Sequence, residues 1–147
     1  MLNNSLNNDC HQAGNIRYIV GNEPLNFEET LNFCNRLGSM AAISSKEIAL
    51  GVNRTLASYK TKHSGMWMNT FADLEVYTGH TDIEKKGDWV VHDTDKKLDW
   101  PNWSPGEPKS SRDADCAKMD TSTFLISSVL CTRKFYPICE LSKVSFK

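Results

Sequence analysis

The arrangement of the cysteines constrains the fold of this chain more than any other feature of its sequence. The five cysteines are Cys10, Cys34, Cys116, Cys131 and Cys139. No Cys-x-x-Cys pair or histidine cluster accompanies them, which excludes the usual spacing of a zinc site. The last three crowd the C-terminal third, and each follows or ends an apolar run. We therefore expect two disulfides formed in an oxidising compartment and a secretory signal removed ahead of residue 1. Free buried cysteines in a cytosolic protein are the alternative.

Composition places the chain among ordinary globular domains. Its 147 residues suffice for one domain with a core, and 39% hydrophobic with 24% charged residues exclude a disordered or fibrous chain. The net charge of −1 gives no general attraction to nucleic acid or anionic membranes. No apolar run approaches the roughly 18 residues that a spanning helix needs. Neither nucleic acid nor a membrane is therefore an expected partner.

Two helices are predicted in the first half of the chain. In "NFEETLNFCNRLG", Asn26 is the expected N-cap, and Glu29 three residues later completes a capping box. Apolar residues recur at helical spacing after it, and Gly38 suits the end of the helix. A second start signal at Ser44 and Glu47 predicts another helix, whose apolar face continues to about residue 60.

The rest of the chain is predicted to be rich in short strands and long loops. Strands are expected at "RYIV", "MAAIS", "GMWMNTF", "GDWVVHD", "DCAKMD", "TFLISSVLC" and "FYPICE". Two helices followed by a β-rich half indicate an α+β domain. Residues 70–115 contain only one convincing strand, and loops of such length usually carry function. We expect the binding site in this segment.

Several motifs together resemble the C-type lectin-like domain. They are "WMN" at Trp67, "GDWVV", "WPNWSPGEP", the cysteines at 116 and 131, and the ending "YPICE". Their order and spacing agree from about Arg17 to Glu140, nearly all of the folded chain, although no single motif would carry the resemblance. It implies two helices, antiparallel sheets, a long loop region and two intrachain disulfides.

The resemblance implies the pairs Cys34–Cys139 and Cys116–Cys131, although four cysteines alone would allow three pairings. The first closes 105 positions (139 minus 34) and the second closes 15 (131 minus 116). In the chain-entropy model these closures stabilise the fold by about 4.7 and about 3 kcal/mol. The long disulfide would tie the first helix to the last strand, and the short one would tether the predicted binding loop.

Cys10 is then left over. A disulfide to another chain is its expected use, and a free or capped thiol is the alternative. The lectin-like domain is expected to cover residues 16–142. An N-terminal tail of residues 1–15, which holds Cys10, and a C-terminal tail of residues 143–147 would flank it.

The resemblance also implies where a ligand would bind. In sugar-binding members, calcium is held by a Glu-Pro-Asn loop, by an acid ahead of the third-from-last cysteine, and by an Asn-Asp pair on the next strand. Calcium needs roughly six to eight oxygen ligands. Here Glu107 and Pro108 match the loop, but Lys109 takes the Asn position. A charged lysine has no lone pair and cannot be a ligand.

The other ligand positions are also incomplete. The acid ahead of the cysteine is expected at Ala114, and Asp113 could stand in for it. Ser127 and Ser128 occupy the positions of the Asn-Asp pair. Glu107 and Asp113 then remain as the metal ligands of a weak calcium site.

We expect Lys109 to replace calcium at this site. Its ammonium can pair with Glu107 or Asp113, which removes the electrostatic need for a cation, although an exposed pair stabilises by no more than about 1 kcal/mol. No cofactor is then required, and weakly bound calcium is the alternative. The Glu-Pro bond is cis in calcium-binding relatives. Since only about 5 to 6% of X-Pro bonds are cis, the incomplete ligand set leads us not to expect a cis Glu107–Pro108 bond.

Other residues have both functional and structural interpretations. Trp100 is the candidate for an exposed ring that stacks on a sugar, whereas Trp67 and Trp103 are expected in the core. Asn3, Asn53 and Asn102 begin glycan acceptor triplets, which also arise by chance. A patch for sulfated glycans would require the fold to gather five lysines: Lys85, Lys86, Lys96, Lys97 and Lys109.

The sequence therefore predicts a secreted, glycan-binding lectin-like module with a degenerate calcium site. Its use in innate recognition is implied by the resemblance alone. The alternative is a protein-binding module in a disulfide-linked dimer, and fold alone does not decide between the two. An enzyme is not expected, because the sequence shows no nucleophile–base arrangement, phosphate loop or histidine-based metal site.

Overall fold

The structure is a computed structural model that describes residues 12–13, 16–62, 74–109 and 113–141. Cys10, Trp67 and the strand predicted at "GMWMNTF" lie outside the described residues, as do most of the N-terminal tail and all of the C-terminal tail. The described elements, in chain order, are β1 (Gln12–Ala13), β2 (Ile16–Val20), α1 (Phe27–Asn35), β3 (Ser39–Met40), α2 (Lys46–Lys62), β4 (Glu75–Thr81), β5 (Val90–Val91), β6 (Cys116–Asp120), β7 (Ile126–Val129) and β8 (Ile138–Glu140). Neither described helix is long and apolar enough to cross a membrane.

Helix α1 begins with the predicted capping box. The Asn26 side chain accepts a hydrogen bond from the Glu29 N–H at 2.9 Å, and the Glu29 carboxylate accepts one from the Asn26 N–H at 2.9 Å. These bonds satisfy two backbone donors that a helix start leaves without intrahelical partners. Phe27, Thr30 and Cys34 form the buried face of the helix.

Helix α2 begins one residue later than the signal at Ser44 predicts. The Ser45 hydroxyl accepts a hydrogen bond from the Ile48 N–H at 3.1 Å, so Ser45 is the residue that caps the helix. Two serines in a row make this position ambiguous from sequence. The predicted apolar face is confirmed, since Val52 and Leu56 are buried in the core.

The strands form two four-stranded sheets, with the orders β1-β2-β8-β3 and β5-β4-β6-β7. All of these pairings are antiparallel. The strand predicted at "MAAIS" is limited to its first residue, Met40, which ends β3. The Ala41 N–H still donates to the Ile138 carbonyl of the first sheet at 3.1 Å, and the Ile43 N–H then donates to the Thr78 carbonyl of the second sheet at 2.9 Å.

The sequence does not predict β4, the seven-residue strand Glu75–Thr81. Our expectation of one convincing strand between residues 70 and 115 is therefore wrong. The strand is buried on both faces, yet it carries Thr78, His80 and Thr81 at positions that are no more than 2% exposed. Gly79, with φ of +87°, lies in its middle. Such a strand shows neither the apolar run nor the alternation that marks a strand in sequence.

The main core collects side chains from α2 and from both sheets. Val52 of α2 packs with Val76 of β4, Met119 of β6 and Ile126 of β7, all fully buried, and Tyr18 joins them from the first sheet. A second cluster contains Phe27, Tyr77, Val129 and Phe135. The long loop between β4 and β6 is thus anchored on a sheet that is itself embedded in the core.

Both disulfides implied by the resemblance are confirmed. Cys34 and Cys139 are joined at 2.02 Å and connect α1 to β8. Cys116 and Cys131 are joined at 2.05 Å and connect the start of β6 to the segment after β7. The predicted α+β fold, with two helices, antiparallel sheets and two disulfides, is confirmed as well.

Candidate functional site

Glu107, Lys109 and Ser128 form one hydrogen-bonded cluster. The Glu107 Oε1 atom accepts bonds from the Ser128 N–H at 2.9 Å and from the Ser128 hydroxyl at 2.8 Å. The Glu107 Oε2 atom accepts a bond from the Lys109 ammonium. The Lys109 N–H in turn donates to the Ser128 hydroxyl at 3.0 Å. The fold therefore brings together three of the residues that the sequence proposes for the site.

Strand β7 positions this cluster. The Ile126 N–H donates to the Asn102 carbonyl, and the Ser104 N–H donates to the Ile126 carbonyl, each at 2.8 Å. A turn closed by the Glu107 N–H and the Ser104 carbonyl at 3.0 Å then directs Glu107 toward Ser128. The peptide bond between Glu107 and Pro108 is cis, contrary to our expectation.

The electrostatics of the cluster favour an ionised carboxylate. Burial of the Glu107 side chain, which is 7% exposed, would by itself raise the pKa of its carboxyl group. The hydrogen bonds from Lys109 and Ser128, together with the lysine charge, outweigh burial and hold this pKa below its usual value. The Lys109 side chain is 62% exposed. The cluster thus presents ammonium donors to solvent and keeps its carboxylate largely covered.

The structure also describes the other predicted ligand positions. Asp113 lies in an exposed turn, and the neighbouring position at Ala114 is buried. Ser127 is half-buried in β7 beside Ser128. Within the described ranges, no three histidine, cysteine or acidic side chains are grouped so that they could hold a metal ion.

The predicted aromatic platform at Trp100 is not an exposed ring. Trp100 is half-buried and packs against the main core, as Trp103 also does. The Trp103 ring meets Trp89 edge-on, with centroids 5.2 Å apart. Trp103, which was expected in the core, is half-buried against it. The interpretation of Trp100 as exposed is wrong, because its ring covers apolar side chains.

Three of the five lysines that a patch for sulfated glycans would require form ion pairs. Lys97 contacts Asp88 at 2.7 Å, and Lys86 contacts Asp115 at 3.2 Å. Lys109 is held by Glu107. A nearby carboxylate thus balances the charge of Lys86, Lys97 and Lys109, so these three lysines do not form a basic surface.

A second lysine-centred cluster was not predicted from the sequence. Lys86 lies between Asp115 and Asp82, the latter at 3.7 Å with a side chain that is 1% exposed. The Asp82 N–H donates to the Asp115 carbonyl at 3.1 Å. Burial raises the pKa of Asp82 and the nearby Asp115 carboxylate adds to this effect, while the Gly87 N–H and Lys86 oppose it. Asp82 and Lys86 are four residues apart but lie outside a helix, so their spacing does not signal this contact.

Two of the glycan acceptor asparagines have structural contacts. The Asn53 amide donates to the Thr121 carbonyl at 2.7 Å, and the Asn102 amide donates to the Phe124 carbonyl at 2.6 Å. Thr55, which completes the first triplet, is fully buried. In the folded domain these amide nitrogens are occupied by internal hydrogen bonds. Asn3 lies outside the described residues.

Residues 23–141 match the family model described as the lectin C-type domain. Collectin-10 of Mus musculus is 30% identical over 127 residues, which make up 86% of this chain and 42% of that protein. Collectin-11 of Danio rerio is 29% identical over the same shares. The chain thus spans less than half the length of the curated relatives that it matches.

Solved structures with the same fold include human lithostathine, with a TM-score of 0.70 and 18% identity over 90% of this chain and 95% of that one. The carbohydrate-recognition domain of the human scavenger receptor C-type lectin has a TM-score of 0.68 and 20% identity over the same shares. A calcium-independent type II antifreeze protein has a TM-score of 0.67 and 18% identity, over 90% of each chain. At these identities the similarity shows the fold alone.

Proposed function

The chain belongs to the C-type lectin domain family, whose members are binding proteins and not enzymes, and from this premise we propose that it is a secreted carbohydrate-recognition module that binds without needing calcium. The proposed binding surface consists of Glu107, Lys109 and Ser128. Two disulfides support an extracellular location, since such bonds persist in oxidising compartments. We propose innate recognition as the use, by analogy with the family.

One observation carries the proposal. Both oxygens of the Glu107 carboxylate already accept hydrogen bonds, one from the Lys109 ammonium and the other from Ser128. A calcium ion at this carboxylate would have to displace the ammonium and would find serine where stronger oxygen ligands are needed. The exposed Lys109 ammonium could instead donate to sugar hydroxyl or acidic groups directly.

A glycan array probed with and without EDTA tests the proposal. We expect the same bound glycans in both conditions, because no ligand contact requires a divalent ion. Loss of the signals in EDTA would identify a calcium-dependent lectin and contradict the proposal. Absence of binding to every glycan would favour a protein ligand instead.

Calorimetry locates the site. Titration of the protein with calcium is expected to give no micromolar binding, and a micromolar affinity abolished by Glu107→Ala would overturn the proposal. Lys109→Gln is expected to weaken glycan binding at least tenfold, because it removes the exposed cation. Lys97→Gln removes the same charge from another exposed ion pair and serves as the matched control.

A second candidate is a protein-binding domain within a disulfide-linked dimer. It is favoured by the cysteine pairing, since both described disulfides are intrachain and account for four of the five cysteines. Cys10 is then available to another chain. This candidate would be supported by a dimer on a non-reducing gel that becomes a monomer on reduction. The glycan array should then show no bound glycan. A monomer in both lanes would exclude the covalent dimer.

A further inference from the structure

A groove of about 590 Å³ lies between α1, β3 and the turn after β5. Val91 of β5 lines it, at one edge of the second sheet, whereas Ser128 lies in β7 at the other edge. Strands β4 and β6 separate the two edges, so at roughly 4.8 Å per strand the two positions are about 14 Å apart. The groove is therefore distinct from the Glu107 cluster and shares none of its residues.

Part of the groove lining is apolar. Leu31 of α1, Met40 of β3 and Val91 of β5 are half-buried there, together with the small residues Ala42 and Gly79. Apolar side chains at this depth can pack against the aliphatic part of a ligand. The volume lies within the range of about 300 to 1,000 Å³ that is usual for small binding pockets, which suits one or two side chains of a peptide.

The charged part of the lining is negative. Glu28 and Asp93 are exposed at the groove, and the half-buried Glu140 also lines it. Glu140 is held in place, since its Oε2 atom accepts the Ala42 N–H at 3.0 Å. No lysine or arginine is among the described residues that line the groove. The Asp93 Oδ2 atom lies 3.9 Å from the His92 Nε2 atom, so a cationic group in the groove would meet chiefly the exposed carboxylates of Glu28 and Asp93.

The walls of the groove are fixed by close backbone contacts. A Cβ atom at Gly79 would lie 2.5 Å from the Ala41 carbonyl oxygen, so only glycine permits β4 to approach the chain after β3 this closely. The His92 N–H donates to the Gly79 carbonyl at 3.0 Å, and the His92 ring meets Phe27 edge-on at 5.2 Å. A preformed groove spares a ligand part of the cost of ordering its site.

We propose that this groove binds a lysine- or arginine-bearing segment of a protein partner. The aliphatic stem of the basic side chain packs against Leu31, Met40 and Val91, and its charged end reaches the carboxylates of Glu28 and Asp93. Basic side chains combine these two properties, an apolar stem and a cationic end. Because the groove does not depend on the Glu107 cluster, a glycan and a basic protein segment could be bound at the same time.

Titration of the full chain with two synthetic heptapeptides tests the proposal, with backbone amide NMR as the readout. One peptide is acetyl-Gly-Gly-Lys-Val-Lys-Gly-Gly-amide, and the other has glutamine in place of both lysines. We expect the lysine peptide to shift amide signals at the groove and to bind at least tenfold more tightly than the glutamine peptide. Binding should weaken several-fold from 50 to 500 mM NaCl because salt screens the attraction. Equal binding of both peptides, or shifts only at residues elsewhere, would overturn the proposal.

Two double variants test whether the lysine peptide binds at the groove or is attracted by the negative charge of the protein in general. Glu28→Gln combined with Asp93→Asn should lower the affinity for the lysine peptide at least tenfold. Asparagine suits position 93 because it tolerates the φ of +64° found there. Glu23→Gln combined with Glu84→Gln removes the same charge from exposed positions that do not line the groove, and should change the affinity less than twofold. Equal losses in both variants would contradict the proposal. Glycan binding should be unchanged in all of them, so the two proposed sites can fail independently.

Discussion

His80 is a buried histidine in the middle of the molecule. It is fully buried in β4, its Nδ1 atom lies 3.0 Å from the Thr78 hydroxyl, and its Nε2 atom has no hydrogen-bond partner. Burial lowers the pKa of His80 to about 4, although the charge of Asp99 and a backbone hydrogen bond at Thr78 oppose this shift. The imidazole is therefore neutral at neutral pH, and the unfolded chain takes up a proton more readily than the folded domain does.

This difference predicts acid sensitivity. A histidine with a pKa of about 4 when folded and about 6.5 when unfolded leaves stability intact above pH 6.5 and reduces it as the pH falls toward 4. We expect the free energy of unfolding to fall by about 2 kcal/mol between pH 7 and pH 5 through this residue. His80→Leu should remove that part of the pH dependence in urea titrations at both pH values. Parallel pH profiles of the wild type and the variant would contradict the assignment.

Ser128 holds the proposed glycan site together. Its hydroxyl donates to Glu107 and accepts the Lys109 N–H, so Ser128→Ala removes one bond from the carboxylate and leaves a backbone donor without its partner. We expect a loss of about 2 kcal/mol in the free energy of unfolding, measured by urea titration. Ser127→Ala is the control, because adjacent strand residues point to opposite faces, and should cost less than about 0.5 kcal/mol. Equal effects of the two changes would show that Ser128 does not support the loop.

Among the elements, β4 depends on the single backbone position of Gly79. Gly79 and Gly87 have nearly the same φ, +87° and +88°, but a Cβ at Gly79 would meet the Ala41 carbonyl, whereas a Cβ at Gly87 would have no heavy atom within 4 Å. Gly87→Ala should therefore cost only the strain of a left-handed residue, about 1 to 2 kcal/mol. Gly79→Ala adds a steric clash of about 1 to 3 kcal/mol and should be clearly worse. Similar losses in urea titrations would mean that β4 and the chain after β3 separate easily.

Elements that are determined by local chemistry could be predicted from the sequence. The capping box of Asn26 and Glu29 needs only residues three positions apart, and its helix is found where it is expected. Strand β4 could not be predicted because its polar side chains are buried by contacts with distant segments. Thr78 and His80 bond to each other, and the carbonyl of Thr78 accepts the Ile43 N–H. Nothing in the local pattern around residue 78 shows that the Ile43 N–H is a partner.

At the level of the whole molecule, the two disulfides close spans of very different length. Cys34–Cys139 spans 105 positions and Cys116–Cys131 spans 15. Removing the long one by a double change to alanine should cost about 4.7 kcal/mol, and removing the short one about 3 kcal/mol, in the chain-entropy model. Urea titrations of the two double variants measure the difference. A larger loss from the short disulfide would show that its packing beside Phe27 and Tyr77 matters more than the length of the span.

The part of the candidate site that lies in the Glu-Pro-Lys loop could be predicted, because its positions match a motif of the family that the chain resembles. The pairing of Lys109 with Glu107 was expected, because both residues lie in one short loop that resembles a known motif. The Asp82–Lys86–Asp115 cluster and the acidic groove depend on how separate loops and strands meet, and the sequence carries no local signal for either. Trp100 was misjudged for a related reason, since a ring next to a proline can face either the solvent or the core.

The Lys109 ammonium is attached by its own chain to the carboxylate that it neutralises. Its local concentration at Glu107 is therefore set by covalent geometry and stays the same in any surrounding fluid. A loop whose carboxylate binds a dissolved cation loses that cation when its concentration is low or when a chelator binds it. In the proposed function the loop of this chain carries its counterion on its own Lys109 side chain, and we expect its shape not to depend on the mineral content of the surroundings.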